Sequence, residues 1–150
     1  MPASIKHQYF FPHPPAAVWE YLTNAELMEQ WLMKTDFQPF IGYDFQFRTK
    51  PIPSLNLDGI FYCKVLEMVP FKKLSYSWKG GPGEGRIIFD TIVVWKLQAK
   101  EGGTELFLEH SGFSETDNLS IYKGMNEGWL KNIHKIAERL NAAKHGTTNT

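Results

Sequence analysis

Apolar and polar residues alternate through most of the middle of this chain, and this alternation limits the possible folds more than any other feature. Residues 43–51 (YDFQFRTKP) place Tyr43, Phe45 and Phe47 on one face of a strand and polar residues on the other. Similar patterns predict strands at 4–11, 57–70, 72–78, 87–97 and 104–111. Because short turn-like segments join these strands, we expect an antiparallel meander rather than a parallel sheet.

Helices of two kinds are predicted on either side of this meander. The prolines of HPPAAVWEYL (residues 13–22) fit a helix start, and TNAE (residues 23–26) reads as a capping box in which Thr23 caps a second short helix. Over residues 119–143 apolar side chains recur at three- and four-residue spacing, which predicts a long amphipathic helix. We expect this helix to lie across the concave face of the sheet, because both elements then bury their apolar sides.

Composition narrows the class of protein. The 150 residues fit one domain, with a polar tail after Lys144 that we expect to fray. Sixteen Lys and Arg balance sixteen Asp and Glu, which disfavours nucleic-acid binding. No run of about 20 apolar residues occurs, so no membrane insertion is expected. The single cysteine, Cys63, excludes an internal disulfide and favours a cytoplasmic location.

Three separated segments resemble one known family. The segments PPAAVWEYLTNAELMEQWL (residues 14–32), DGIFYCKVLEMVPFKKLSYSW (58–78) and GGTELFLEHSGF (102–113), followed by Gly128 and Trp129, occur in the chain in that order. They are similar to the AHSA1-like proteins, the activator-of-Hsp90-ATPase homologues of the START/Bet v 1 (SRPBCC) superfamily. The resemblance runs from about residue 5 to residue 140.

The resemblance implies a fold and a kind of site. The fold is the α+β helix-grip fold: a curved antiparallel β-sheet with two short helices, and a long C-terminal helix packed on its concave face. A cavity between the sheet and the long helix, suited to apolar or aromatic ligands, comes with this fold. The family's eukaryotic namesakes bind Hsp90, so the resemblance also implies an Hsp90-type chaperone as a partner.

The segment LFLEHSGF (residues 106–113) contains the three residue types of a hydrolytic triad side by side. Neighbours on a strand point to opposite faces, so His110 points to the apolar side while Glu109 and Ser111 point away. Adjacent strand residues therefore cannot make the contacts that a triad needs. For His110 alone three roles stay open: a hydrogen-bonded core histidine, a polar contact for a ligand, or an acid or base in catalysis.

Aromatic side chains are the stronger functional signal. The candidate ligand-binding residues are those expected on the concave face and on the facing side of the long helix: Phe45, Phe47, Phe61, Tyr76, Trp78, Phe89, Trp95, His110, Met125 and Trp129. Either they interdigitate as a dense core or they leave a pocket, and both alternatives stay open. No cofactor and no catalytic residue is predicted, and the scattered histidines predict no metal site.

The glycine-rich stretch GGPGEG (residues 80–85) precedes a predicted strand. Phosphate-binding loops of this composition precede a helix, whose N-terminus holds the anion. The stretch is therefore predicted to be a flexible hairpin connection, which could gate the mouth of the cavity.

Three functions are consistent with these observations. The leading hypothesis is a protein that binds a hydrophobic small molecule between the sheet and the C-terminal helix. The second is an interaction protein, an Hsp90 ATPase regulator or a homodimer, that uses the outward-facing Ile92 and Val94. The third is a cyclase- or hydrolase-type enzyme that uses His110.

Overall fold

One antiparallel sheet of seven strands dominates the computed structural model, which describes residues 3–114 and 118–148, the last five of them by backbone alone. The strands are β1 (Ala3–Phe11), β2 (Lys34–Thr35), β3 (Asp44–Arg48), β4 (Ile60–Val69), β5 (Lys73–Gly80), β6 (Phe89–Lys100) and β7 (Gly103–Phe113). Their order in the sheet is β1-β7-β6-β5-β4-β3-β2. The chain therefore meanders from β2 to β7, and β1 pairs with the last strand.

The predicted strands are present and their faces are those that the alternation predicts. In β3, Phe45 and Phe47 are buried while Asp44 and Arg48 are exposed. Strand β2 was not predicted, because two residues are too few to show an alternation. The sheet curls into a half-barrel with three helices, so the α+β helix-grip prediction is confirmed.

Two short helices, α1 (Pro15–Thr23) and α2 (Ala25–Trp31), follow β1. The prediction that Thr23 caps the second helix is wrong. Asn24 caps α2, since its Oδ1 accepts a hydrogen bond from the N–H of Leu27 at 3.2 Å. Thr23 ends α1 instead, and its hydroxyl donates to the carbonyl of Trp19 at 2.8 Å. A threonine hydroxyl inside a helix can bond the carbonyl four residues back, which leaves the extended Asn24 to cap the next helix.

The long helix α3 (Leu119–Thr148) packs its apolar side against the sheet. Its buried residues are Ile121, Trp129, Ile133, Ile136 and Leu140. At its first turns the hydroxyl of Tyr122 donates to the carbonyl of Ser4 in β1 at 3.2 Å. The backbone continues through Thr148, and residues 149 and 150 lie outside the described part, so fraying of the tail remains a prediction. In the described part of the chain, no helix has the length and apolar character needed to cross a membrane.

Candidate functional site

His110 occupies the centre of the concave interior, on β7, and both of its ring nitrogens are hydrogen-bonded. The indole N–H of Trp129 donates to Nδ1 at 2.9 Å. Nε2 lies 2.7 Å from the hydroxyl of Thr91, and that hydroxyl donates to the carbonyl of Trp78 at 2.8 Å. Because Nδ1 accepts, Nε2 must carry the proton and donate to Thr91. The ring is therefore held as one neutral tautomer, and both of its nitrogens have hydrogen-bond partners.

Burial fixes the charge state of this ring as well as its orientation. His110 is 0% exposed, and burial lowers its pKa from the ordinary value to about 3, because the imidazolium would lose its hydration. At neutral pH the ring is uncharged and neither nitrogen is free. These contacts are those of the first of the three alternatives, a hydrogen-bonded core histidine.

Tyr76 and Trp95 form a second buried pair, which Trp129 connects to the histidine by packing on Trp95 and bonding His110. The indole N–H of Trp95 donates to the hydroxyl of Tyr76 at 3.0 Å, and both side chains are fully buried. Burial raises the pKa of Tyr76, and the hydrogen bond from Trp95 opposes this only in part. The ring of Phe45 packs edge-on against Tyr76 at 5.4 Å. We name Phe45, Phe47, Tyr76, Thr91, Trp95 and His110 the closed cluster, since each of them is at most 2% exposed.

The residues on either side of His110 confirm the pleat. Glu109 faces outward and lies 3.5 Å from the ammonium group of Lys6, and Ser111 is only partly buried. The three triad-like residues of β7 are therefore divided between the two faces of the sheet, as their spacing predicts.

A cavity of about 210 Å³ lies beside the closed cluster, where α3 crosses β4 and β5. Four of the ten predicted site residues line it: Phe61, Trp78, Met125 and Trp129. We name this cavity the apolar pocket. The other six do not line it, because five of them belong to the closed cluster and Phe89 packs against the rings of Phe61 and Phe113.

Further lining comes from the segment between β3 and β4, which the sequence analysis did not assign to the site. Ile52, Leu55 and Leu57 face the pocket, and Ile52 and Leu57 exchange backbone hydrogen bonds of 2.9 and 3.2 Å across a short 3₁₀ turn. At the base of the segment the N–H of Thr49 donates to the carbonyl of Gly59 at 2.8 Å. This segment borders the pocket, whereas the predicted gate at residues 80–85 contributes no lining residue.

Gly59 is required at that base. Its φ is +87°, and a Cβ there would lie 2.4 Å from the carbonyl oxygen of Thr49. The segment has the sequence PIPSLNL (residues 51–57), in which isoleucine and leucine alternate with proline and polar residues. A loop exposed to solvent would contain fewer apolar residues, and this is the signal that could have identified the segment.

Two glycines of α3, Gly124 and Gly128, also line the pocket and were missed. They are four residues apart and so share one face of the helix. A Cβ on Gly128 would have no atom within 4 Å, and one on Gly124 would meet only Leu55, at an ordinary 3.5 Å. Glycine inside a helix costs about 0.5–1 kcal/mol relative to alanine, and packing does not require it here. The effect of both glycines is to leave the pocket open.

Polar groups around the pocket are few and uncharged. Among the described residues, Thr49 and Asn132 are the polar side chains in the lining, besides the two indoles. Trp78 is 2% exposed, and its indole N–H has no hydrogen-bond partner. The indole N–H groups of Trp31, Trp95 and Trp129 each donate a hydrogen bond. No group of three His, Cys, Asp or Glu that could hold a metal occurs among the residues that the structure describes.

Comparison with known proteins finds relatives along nearly the whole chain. Residues 12–141 match the family described as activator of Hsp90 ATPase homolog 1-like protein. The crystal structure of protein MLL2253 from Mesorhizobium loti is 31% identical, with a TM-score of 0.83, over 93% of this chain and 98% of that chain. No functionally curated protein matches the chain.

More distant structures share the fold. Protein BH1534 from Bacillus halodurans is 23% identical over 91% of this chain and 95% of that one, with a TM-score of 0.72. The Aha1 dimer from Colwellia psychrerythraea is 19% identical over 92% of this chain and 96% of that one, also with a TM-score of 0.72. At these identities the similarity establishes the fold alone.

Proposed function

Since the chain belongs to the family of activator of Hsp90 ATPase homolog 1-like proteins, whose fold is a ligand-binding one, we propose that it binds a small apolar or aromatic molecule in the apolar pocket. The pocket itself carries the proposal. Protein interiors are normally packed as densely as organic crystals, yet about 210 Å³ stays open here beside a filled cluster. Apolar cavities of about 150 Å³ are large enough to bind benzene.

The side chains around the pocket suit an occupant of that kind. Met125 is half-buried on α3, and an unbranched thioether side chain adapts its shape to different apolar ligands. Phe61, Trp78 and Trp129 offer aromatic faces and edges, and the ring of Trp78 lies 5.1 Å from that of Phe61 and 5.5 Å from that of Trp129. Leu55 is only partly buried, on the segment that borders the pocket. Thr49 and Gly124 in the lining are exposed, so the pocket opens to the surface and a ligand can enter without movement of the sheet.

Titration of the full chain with a panel of apolar and aromatic compounds tests the proposal. Binding should shift the NMR signals of the Trp78 and Trp129 indoles. Gly128→Leu should abolish binding, because its side chain would fill the open space beside the glycine. Glu127→Leu is the matched control, since it adds the same side chain to an exposed position outside the lining. Unchanged binding in Gly128→Leu, or no ligand in the whole panel, would count against this function.

Protein interaction through the outer face of the sheet is a second candidate function. Tyr62, Leu66 and Ile92 are 40%, 42% and 43% exposed and border one shallow outer depression. Exposed apolar groups rimmed by charges are typical of interaction sites. The family name and the dimeric structure from Colwellia psychrerythraea support a chaperone or a second copy of the chain as the partner.

Sedimentation of the chain alone and with Hsp90, together with the Hsp90 ATPase rate, tests this second function. Ile92→Ser should weaken either association and leave ligand binding unchanged, because the side chain faces away from the pocket. A monomer that neither sediments with Hsp90 nor alters its ATPase rate would remove this candidate.

An enzyme that uses His110 has the least support. Its two ring nitrogens are engaged with Trp129 and Thr91, and its low pKa keeps the ring neutral at neutral pH, so it is not an imidazolium acid. It also does not line the apolar pocket. A general acid or base has to reach the bond that reacts.

A further inference from the structure

We infer that the ligand of the apolar pocket is a neutral aromatic molecule that carries a single hydrogen-bond acceptor, bound by the indole N–H of Trp78. The inference rests on the proposed function and adds the chemical class of the ligand. It depends on three features of the pocket: the charge of its lining, the unpaired indole N–H, and the space beside the two helix glycines.

The lining argues for a neutral ligand. The polar side chains that reach the pocket, Thr49 and Asn132, carry no charge, and the other described lining residues are apolar or glycine. A buried carboxylate or ammonium group needs an opposite charge or several hydrogen bonds to offset the loss of its hydration. The pocket therefore favours an uncharged molecule over a fatty acid or an amine.

The indole N–H of Trp78 favours a ligand that carries a hydrogen-bond acceptor. Its N–H is buried without a partner, whereas three other indoles of the interior each have one. A buried donor without a partner destabilises the folded protein, so an oxygen supplied by the ligand would recover a hydrogen bond that the free protein lacks. Because solvent does not reach this N–H in the free protein, the indole has to turn towards the pocket to form that bond. A carbonyl, ether or hydroxyl oxygen on the ligand meets this requirement.

The shape of the pocket argues for one or two rings. Gly124 and Gly128 leave the surface of α3 flat along one side, and the aromatic rings of Phe61, Trp78 and Trp129 stand on the others. Aromatic ligands pack well in such sites through offset-stacked and edge-to-face contacts. A volume of about 210 Å³ holds a small ring system, whereas most of a long lipid chain would lie outside the pocket in solvent.

Three probes of nearly equal size separate these requirements: acetophenone with a carbonyl, cumene with a methyl group in its place, and benzoate with a charge. Calorimetric titration of the full chain should give acetophenone about tenfold tighter binding than cumene, the effect of one buried hydrogen bond. Benzoate should not bind measurably.

Trp78→Phe should then weaken acetophenone about tenfold and change cumene less than about twofold. Should this variant fail to fold, β-(3-benzothienyl)alanine at position 78 keeps the bicyclic ring and replaces its N–H by sulfur.

Each alternative result has a separate meaning. Equal binding of acetophenone and cumene, or an equal loss of both in the Trp78 variants, overturns the assigned acceptor. Benzoate that binds as tightly as acetophenone overturns the neutral class. If none of the three binds while the wider panel yields a ligand sensitive to Gly128→Leu, the inference fails and the proposed function stands. If the wider panel also yields none, the proposed function fails.

Discussion

The closed cluster and the apolar pocket lie side by side under the same helix, yet they differ in whether their buried polar groups have hydrogen-bond partners. In the closed cluster the ring nitrogens of His110, the hydroxyls of Thr91 and Tyr76 and the indole N–H of Trp95 all have hydrogen-bond partners. At the pocket the indole N–H of Trp78 has none, and Gly128 faces empty space. The first region has the properties of a core, and the second has those of a site.

Trp129 joins the two regions and shows what the difference means. Its N–H bonds His110 in the closed cluster, while its ring lines the pocket and contacts Trp78 at 5.5 Å. A satisfied hydrogen bond fixes the position of a side chain, and a fixed ring is a good wall for a binding site. The closed cluster therefore positions one wall of the pocket without lining it.

Trp95→Ala should produce the largest effect, because it opens the region that is filled. Trp95 is fully buried between Trp31 at 5.9 Å and Trp129 at 5.4 Å, and such a truncation costs about 3–5 kcal/mol. Urea unfolding measures the loss of stability. The counterpart in the pocket, Met125→Ala, should cost less than half as much, because Met125 already borders a cavity. Equal losses would erase the distinction between the two regions.

Acid should weaken the closed cluster through His110. Its pKa in the folded protein, about 3, lies below the unfolded value of about 6.5, so only the unfolded chain takes up this proton between the two. The stabilisation is complete above pH 6.5 and declines as the pH falls towards 3. Between pH 6.5 and pH 5 this group should lower the free energy of unfolding by about 2 kcal/mol.

Urea unfolding across that pH range, for the wild type and for His110→Gln, isolates this contribution from those of the other titrating groups. The variant should be less stable at pH 7 and less sensitive to acid. Parallel pH profiles would show that His110 is not the group that makes the fold acid-sensitive.

Gly128→Ala tests whether the open space beside this glycine serves ligand binding or the stability of the fold. A helix gains about 0.5–1 kcal/mol when an interior glycine becomes alanine, and the new Cβ would meet no atom within 4 Å. We therefore expect a small increase in the midpoint of urea unfolding together with weaker ligand binding, a stability gained at the cost of function. A decrease in stability would mean that the space beside Gly128 is needed by the fold and not by a ligand.

Ile92→Ser should have the smallest effect on the folded chain, because it lies outside both regions. Ile92 is 43% exposed on the outer face of β6, and surface substitutions usually change stability by less than about 0.5 kcal/mol. Thermal unfolding and the ligand titration should both match the wild type. A large loss of stability or of ligand affinity would mean that the outer face is coupled to the interior.

Much of the fold was predictable because burial on one face of a strand leaves a period of two in the sequence. Phe45, Phe47, Tyr76 and Trp95 were placed inward correctly, and His110 was separated from Glu109 and Ser111 by the same rule. Four of the ten predicted site residues line the pocket. The remaining six are inward-facing residues of the sheet, so sequence could not distinguish them from Phe61 and Trp78, which face inward on the same sheet.

The pocket residues that the sequence analysis missed could not be recognised from a repeating pattern of apolar residues. Ile52, Leu55 and Leu57 lie in a loop, where no repeating pattern marks which side chains point inward. Thr91 is buried on β6, but its role as the link between His110 and the carbonyl of Trp78 depends on two neighbouring strands being in register with β6. Such contacts are set by the sheet and not by any one segment.

By itself the sequence determined the strands, their inward faces and the amphipathic face of α3, because these follow from local periodicity and the need to bury apolar surface. The helix-grip fold itself was implied by the family resemblance. The tertiary structure alone decided which part of the interior is filled and which part is open. That outcome depends on how rings from three strands and one helix interlock across the concave face. Whether side chains from distant segments fill a volume depends on their relative positions, and no segment of the sequence contains that information.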